Sequence, residues 1–142
     1  MRYLAIDLGA KRTGIASGDD ETGIVAPVAV LTAPVGHMLD AAIDAQIEEH
    51  RPDVVVIGLP LNMDSSESAS SERVRAFGDA IAARHGCRVE YQDERLTSAQ
   101  ADWDMGGSGL THEQKKSLRD ALAASVILRD YLASGRDSSA TD

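Results

Sequence analysis

Cysteine is almost missing from this chain. The one thiol, Cys87, excludes an internal disulfide, so the fold must stand on an apolar core, and a reducing cytoplasm suits it. Cys87 itself reads as a buried, inert thiol in a strand. Aromatic residues make up only 4% of the chain, too few for a platform that stacks successive bases. No apolar run approaches the roughly 18 residues of a membrane-spanning helix. A strand-like run begins at Arg2, so no leader peptide is expected at this start. His37, His50, His85 and His112 are scattered without ligand spacing and read as surface residues. Basic residues are outnumbered: 14 Lys and Arg against 23 Asp and Glu leave a net charge of −9. Such a chain is a poor nonspecific nucleic-acid binder as a whole. Affinity for phosphate depends on a local patch, however, and the acids cluster at Asp19-Asp20-Glu21, at Glu48-Glu49 and in the C-terminal tail.

What is present is enough for one core. The 142 residues are 43% hydrophobic and 26% charged, an ordinary globular balance for a single domain. Arg2 to Leu8 is the first strand, and Tyr3 to Leu8 is apolar except for Asp7, the pattern of a central strand covered on both faces. Thr13 to Gly18 is a second strand. Ile24 to Leu31 is a third, and Pro27 inside it removes a ladder donor, so it belongs at an edge or carries a bulge. Short turns make these three an antiparallel meander. His37 to His50 has apolar residues at helical spacing and is stopped by Arg51-Pro52-Asp53. Val54 to Leu59 is a continuous apolar run, the mark of a buried parallel strand. Met63 to Ser71 is a polar, flexible loop or helix lead-in. Glu72 to His85 is a second long helix, with Gly86 at a left-handed cap position. Cys87 to Gln92 alternates and is a fifth strand with one face only partly covered. Ser98 to Met105 reads as a short helix, broken by Gly106-Gly107-Ser108-Gly109. Thr111 and Gln114 form a capping box before a last helix that runs to about Ala133. Residues 135–142 form a polar tail expected to be disordered, which leaves residues 1–134 as the domain. The order βββ-α-β-α-β-α-α gives an α/β fold: a five-stranded mixed sheet, antiparallel then parallel, with helices on both faces.

Asp7 is the odd residue of the first strand, because a carboxylate in an apolar run is costly unless a metal, a cation or a hydrogen-bond donor answers it. Gly9 and Gly14 bracket the turn behind it. Glu94 lies just past the fifth strand beside Asp93. Asp120 sits in the last helix among Ala121, Ala123 and Ala124, small residues that let the helix approach the sheet. Three such carboxylates suit hard divalent cations, magnesium or manganese. Two ions about 4 Å apart can activate water and stabilise a leaving oxygen in phosphodiester cleavage. Without metal, three clustered acids repel and their pKa values rise.

Each acid also has a structural reading. Asp7 can cap a neighbouring backbone group. Asp120 can pair with Lys116, four residues earlier. Asp93-Glu94-Arg95 can be a charged turn, and Asp64 and Glu67 a solvated loop. Basic residues flank the acids: Lys11 and Arg12 in the turn after Asp7, Arg95 after Glu94, and Lys115, Lys116 and Arg119 before Asp120. They suit phosphate contacts or, on the helix, a salt-bridged face. Gly9 and Gly14 have the spacing of a P-loop, but Ile15-Ala16 replaces its Lys-Ser/Thr pair. No dinucleotide fingerprint follows a strand, and no G-x-S-x-G elbow is present.

Four segments resemble the YqgF family of pre-16S rRNA nucleases and Holliday junction resolvase-like proteins. They are Asp7-Leu8-Gly9-Ala10-Lys11-Arg12-Thr13-Gly14-Ile15-Ala16, Gly58-Leu59-Pro60-Leu61-Asn62-Met63-Asp64, Asp93-Glu94-Arg95-Leu96-Thr97, and Asp120-Ala121-Leu122-Ala123-Ala124 followed by Ile127-Leu128. The resemblance covers roughly residues 2–132. It implies a ribonuclease H-like fold related to the resolvase RuvC, and trimming of the 5′ end of precursor 16S ribosomal RNA. It also implies a metal-dependent site on Asp7, Glu94 and Asp120, with Mg2+ or Mn2+ as cofactor. The chain departs from the family after Asp64, where Ser65-Ser66-Glu67-Ser68 stands in place of the usual Gly-Ser-Glu-Gly. The expected partner is structured RNA in a ribosome precursor, in the cytoplasm, with the chain a monomer or homodimer. Two other readings remain open: cleavage of branched DNA by a dimer, and a non-catalytic RNA-binding assembly factor. An actin-like ATPase also ends its first strand in Asp-x-Gly, but it needs two such lobes and 142 residues supply one.

Overall fold

A computed structural model of the chain describes residues 1–62, 64, 66–93 and 112–134, with side chains in the last segment from Arg119 onward. The elements are β1 (Arg2–Asp7), β2 (Thr13–Asp19), β3 (Val25–Leu31), α1 (His37–His50), β4 (Val54–Leu59), α2 (Ala69–His85), β5 (Arg88–Asp93) and α3 (His112–Ala133). They build one sheet in the order β3-β2-β1-β4-β5. The β1–β2 and β2–β3 pairs are antiparallel, and the β1–β4 and β4–β5 pairs are parallel. The mixed five-stranded sheet expected from the sequence is the one observed.

The two strands without polar alternation take the middle. Leu4, Ala5 and Ile6 of β1 and Val54 to Ile57 of β4 are wholly shielded from solvent. β3 lies at one edge, as Pro27 requires. The β2–β3 ladder pairs Ile15 with Ala29 and then Ala16 with Pro27, so Val28 is the extra residue of a bulge. β5 forms the other edge and is half-buried along its length.

Helices cover both faces. On one side Leu39, Ile43 and Ile47 of α1 and Val74 and Ile81 of α2 pack on Leu4, Ile6, Ile15, Val55 and Ile57. On the other, Ala124, Ile127, Leu128 and Tyr131 of α3 pack on Tyr3, Ala5, Ala16, Val54 and Val56. The second face is thinner in side chains, so α3 sits closer to the sheet.

Several boundaries move. α2 starts at Ala69 rather than Glu72, because Ser68 caps it. The Ser68 Oγ accepts from Ser71 N at 3.1 Å, and Ser68 N donates to Ser71 Oγ at 2.7 Å. This is a capping box with serine where Glu or Gln usually stands. β1 stops at Asp7 rather than Leu8, and β5 runs one residue later than expected. Gly86 takes the left-handed C-cap (φ 68°) and so does Arg51 (φ 47°), just before Pro52. His85 is not the plain surface residue expected: its Nε2 lies 2.7 Å from Asp44 Oδ1, which also accepts from Arg84 Nη2 at 2.9 Å, so α1 and α2 are tied at this point. Cys87 is half-buried just ahead of β5, and burial pushes its thiol pKa up, which fits an inert role. The expected short helix at Ser98 to Met105, the glycine break, the capping contacts of Thr111 and Gln114, and the tail of residues 135–142 lie outside the described residues. Among the described residues no helix is long and apolar enough to cross a membrane.

Candidate active site

β1, β4 and β5 run parallel, so their carboxyl ends share one edge of the sheet, where open α/β sheets bind ligands. Asp7 ends β1 there and pairs with Gly14 of β2. One step beyond the Ile6–Ile57 pair brings Asp7 level with Gly58 of β4, and Gly58 pairs with Gln92 of β5. Alternation fixes the face. Tyr3, Ala5, Ala16, Val54 and Val56 all face α3, and two-residue steps from them reach Asp7, Gly14 and Gly58. The row facing α3 is therefore Gly14, Asp7, Gly58 and Gln92. Asp7 stands between two glycines, and the Cα atoms of Asp7 and Gln92 are about 10 Å apart, two strand spacings.

Gly14 fixes the depth of α3. A Cβ at this position would collide with the Asp120 carbonyl group and lie 2.9 Å from Ala121 N. The helix backbone thus rests directly on β2, flanked by buried Ala121, Ala123 and Ala124. Gly14 is also the pairing partner of Asp7, so Asp120 is carried to within one strand of Asp7. A glycine and a row of alanines thus seat the Asp120 backbone beside the strand pair that ends in Asp7.

Asp120 has a partner among the described residues, Arg12, while the side chain of Lys116, the partner expected on the helix, lies outside them. Arg12 Nε lies 3.0 Å from Asp120 Oδ2, with the two side chains 38% and 24% exposed. That oxygen is itself sealed from solvent and receives no well-directed hydrogen bond among the described residues. The contact is electrostatic and leaves the oxygen's lone pairs poorly used. Arg12, expected on a phosphate, is thus engaged with Asp120 in this structure. The turn that brings it back is tight, since a Cβ on Gly9 would strike the Arg12 carbonyl. Lys11 in the same turn is exposed, as is Arg119 beside Asp120.

Glu94 and Arg95 directly follow β5 and lie outside the described residues, as do the side chains of Lys115 and Lys116 on α3. Among the described residues no group of three His, Cys, Asp or Glu side chains gathers to hold a metal; the structure seats the Asp120 backbone against Gly14, the strand partner of Asp7. Asp7 and Asp120 carry hard oxygen donors of the kind a divalent cation takes, though the Oδ2 of Asp120 is paired with Arg12 in this structure. Asp64 and Glu67 both have partners among the described residues. Asp64 Oδ1 accepts from Ser66 N at 2.9 Å and Ser66 Oγ at 2.6 Å. Glu67 takes a two-pronged contact from Arg75 at 3.0 and 3.1 Å, which holds its carboxyl below the usual range, helped by Ser71. Gln92 was not singled out by the sequence. Its Oε1 is shut off from solvent without a hydrogen bond among the described residues. Its position two residues before Glu94 in an alternating strand was the available signal.

A mixed sheet of this order, with an acid closing β1 and a second acid carried on by α3, defines the ribonuclease H-like class of nuclease folds. The fowlpox virus resolvase, solved with substrate Holliday junction DNA, matches with a TM-score of 0.62 at 14% identity, over 94% of this chain and 98% of that one. Thermus thermophilus RuvC matches with a TM-score of 0.56 at 17% identity, over 95% and 97%. At the level of sequence, the model of the RuvX family, described as Holliday junction resolvase, matches residues 1–134. A relative from Anaeromyxobacter sp. (strain Fw109-5), named "Putative pre-16S rRNA nuclease", is 39% identical over 132 residues, which are 93% of this chain and 96% of the relative. The chain belongs to the RuvX family, also written YqgF, and is a nuclease by class.

Proposed function

We propose that this nuclease is a divalent-metal-dependent endonuclease that trims the 5′ end of precursor 16S ribosomal RNA in the cytoplasm. The observation that carries the reading is the placement of Asp120 against Gly14, the pairing partner of Asp7. Asp7, Glu94 and Asp120 are the residues to hold Mg2+ or Mn2+, which when bound activates water and stabilises the leaving oxygen. Asp7 anchors the set from the rigid centre of the sheet. Asp120 follows any shift of α3 against β2. Lys11 and Arg119, both exposed, would take phosphates of the substrate, with Arg95 and Lys116 as further contacts. Arg12, paired with Asp120 in this structure, would be a further phosphate contact. The name of the Anaeromyxobacter relative supports RNA as the substrate.

Branched DNA is the second reading, favoured by the family description and by the junction bound to the fowlpox enzyme. It asks for a dimer that spans two strands. Incubation of the purified chain with precursor 16S RNA and with a four-way DNA junction, across a Mg2+ and Mn2+ titration, separates the readings. Metal-dependent cutting of the RNA supports the proposal. Cutting of the junction alone transfers it to DNA, and RNA binding with no cutting at any metal concentration leaves a non-catalytic assembly factor.

A further inference from the structure

The Arg12–Asp120 pair is set up by backbone rather than by a chance meeting of long side chains. Arg12 directly precedes Thr13, the fully buried first residue of β2. Its carbonyl sits where a Cβ on Gly9 would be. Two residues further on, Gly14 seats the backbone of Asp120. Two close backbone approaches on one short stretch thus bring the partners together, with Arg12 Nε 3.0 Å from Asp120 Oδ2.

Neither stability nor the docking of α3 accounts for the pair. Side chains that are 38% and 24% exposed gain little from pairing, and α3 is already seated by Gly14, Ala121 and Ala124. The contact is also poorly directed, since Oδ2 receives no good hydrogen bond among the described residues. The guanidinium neutralises the carboxylate without saturating it. A guanidinium stays charged at any ordinary pH, so a proton does not open such a pair. A competing cation does, and carboxylate oxygens are what a hard divalent cation takes.

Resting on the proposed function, we infer that Arg12 is a positioning residue that acts through Asp120: it is the resident counter-ion of this carboxylate, and a divalent cation binds Asp120 in competition with it. Arg12 holds the metal affinity of the site down, and it keeps the Asp120 charge answered while no metal is bound.

The test reads metal binding rather than cleavage. Free Mn2+ is measured by electron paramagnetic resonance against the whole chain as wild type, Arg12→Gln, Asp120→Asn and the double variant, each checked by thermal melting. Arg12→Gln is expected to bind Mn2+ about fivefold more tightly than wild type, the factor that matches the upper worth of a half-exposed ion pair. Asp120→Asn is expected to bind more weakly, and adding Arg12→Gln to it is expected to change affinity by less than about twofold. In wild type the NMR signal of the Arg12 Nε–H is expected to shift as Mg2+ is added, which follows the same exchange without a substitution. A purely structural Arg12 predicts an affinity that is unchanged or falls in Arg12→Gln, and that result would overturn the inference. So would equal tightening in the Asp120→Asn background, the mark of repulsion through space, or an Nε–H signal unmoved at saturating Mg2+. Those three outcomes leave the proposed function standing. Mn2+ binding absent from all four proteins, or untouched by Asp120→Asn, would overturn the metal reading itself and this inference with it.

Discussion

Replacing Gly14 with alanine is expected to damage both the fold and the site through one methyl group. The new Cβ would meet Ala121 N at 2.9 Å and overlap the Asp120 carbonyl more deeply. Comfortable heavy-atom contacts lie near 3.5–4 Å. No flexible side-chain end is available to yield, because both surfaces are backbone held in a ladder and a helix. Relief therefore requires α3 to lift from β2 by about 1 Å or more. Overpacking in a close-packed core costs roughly 1–3 kcal/mol, and a backbone-on-backbone clash belongs at the upper end, near 3 kcal/mol. The same lift moves Asp120 relative to Asp7, and a displacement of about 1 Å at reacting groups costs on the order of 100-fold in rate. Urea unfolding with an unchanged m-value reads the first effect, and single-turnover cleavage reads the second. Gly23→Ala is the control: it has φ +72° but nothing within 4 Å of a new Cβ, so it carries only the left-handed backbone cost of about 1–2 kcal/mol and leaves cleavage unchanged. A Gly14→Ala protein within about 1 kcal/mol of wild type and fully active would refute the close approach of α3.

The other expectations concern the frame around the site. Burial raises the Asp44 carboxyl, but the hydrogen bonds from His85 and Arg84 outweigh it and hold the pKa below the usual range. The stabilisation is therefore present above about pH 4, the ordinary unfolded value, and is lost as pH falls below it; the pair is one-third exposed, so Asp44→Asn is expected to cost no more than about 1 kcal/mol at pH 7, and pH-dependent unfolding should show the difference fading in acid. Tyr131 is fully buried, 6.0 Å from the Tyr3 ring between centroids, and its hydroxyl accepts from Arg88 Nη2 at 3.4 Å; Tyr131→Ala is expected to lose about 3–5 kcal/mol in urea unfolding. Ser68→Ala removes the α2 cap and the hydroxyl's 3.2 Å contact to the Pro60 carbonyl, for an expected loss of about 1 kcal/mol by the same measurement.

How far the sequence could be read depended on where each element derives its stability. β1 and β4 were legible because their apolar runs leave only the centre of a sheet open to them, and Pro27 marked β3 as an edge. The left-handed cap at Gly86 was legible because few residues tolerate that backbone. The start of α2 was misplaced because Ser71 does the work usually given to Glu or Gln, and serine is also a loop residue. The approach of Asp120 was suggested by its alanine neighbours, but its contact with Gly14 depends on the β1–β2 register, which periodicity does not specify. The Arg12–Asp120 pair was not legible because a basic residue beside acids looks the same whether it meets a phosphate or a carboxylate. Gln92 escaped notice because a single amide in an alternating strand carries no signal until the row across four strands is known.

Mapping the 5′ ends of precursor 16S RNA after incubation with wild type and with Asp7→Asn, in Mg2+ or Mn2+, tests the central claim most directly. Asp7→Asn keeps the size and hydrogen-bonding reach of the side chain and removes its charge, so the protein should fold as wild type does. The account predicts discrete shortened 5′ ends with wild type that disappear on metal chelation and are absent with Asp7→Asn. Shortened ends produced equally by Asp7→Asn would contradict it.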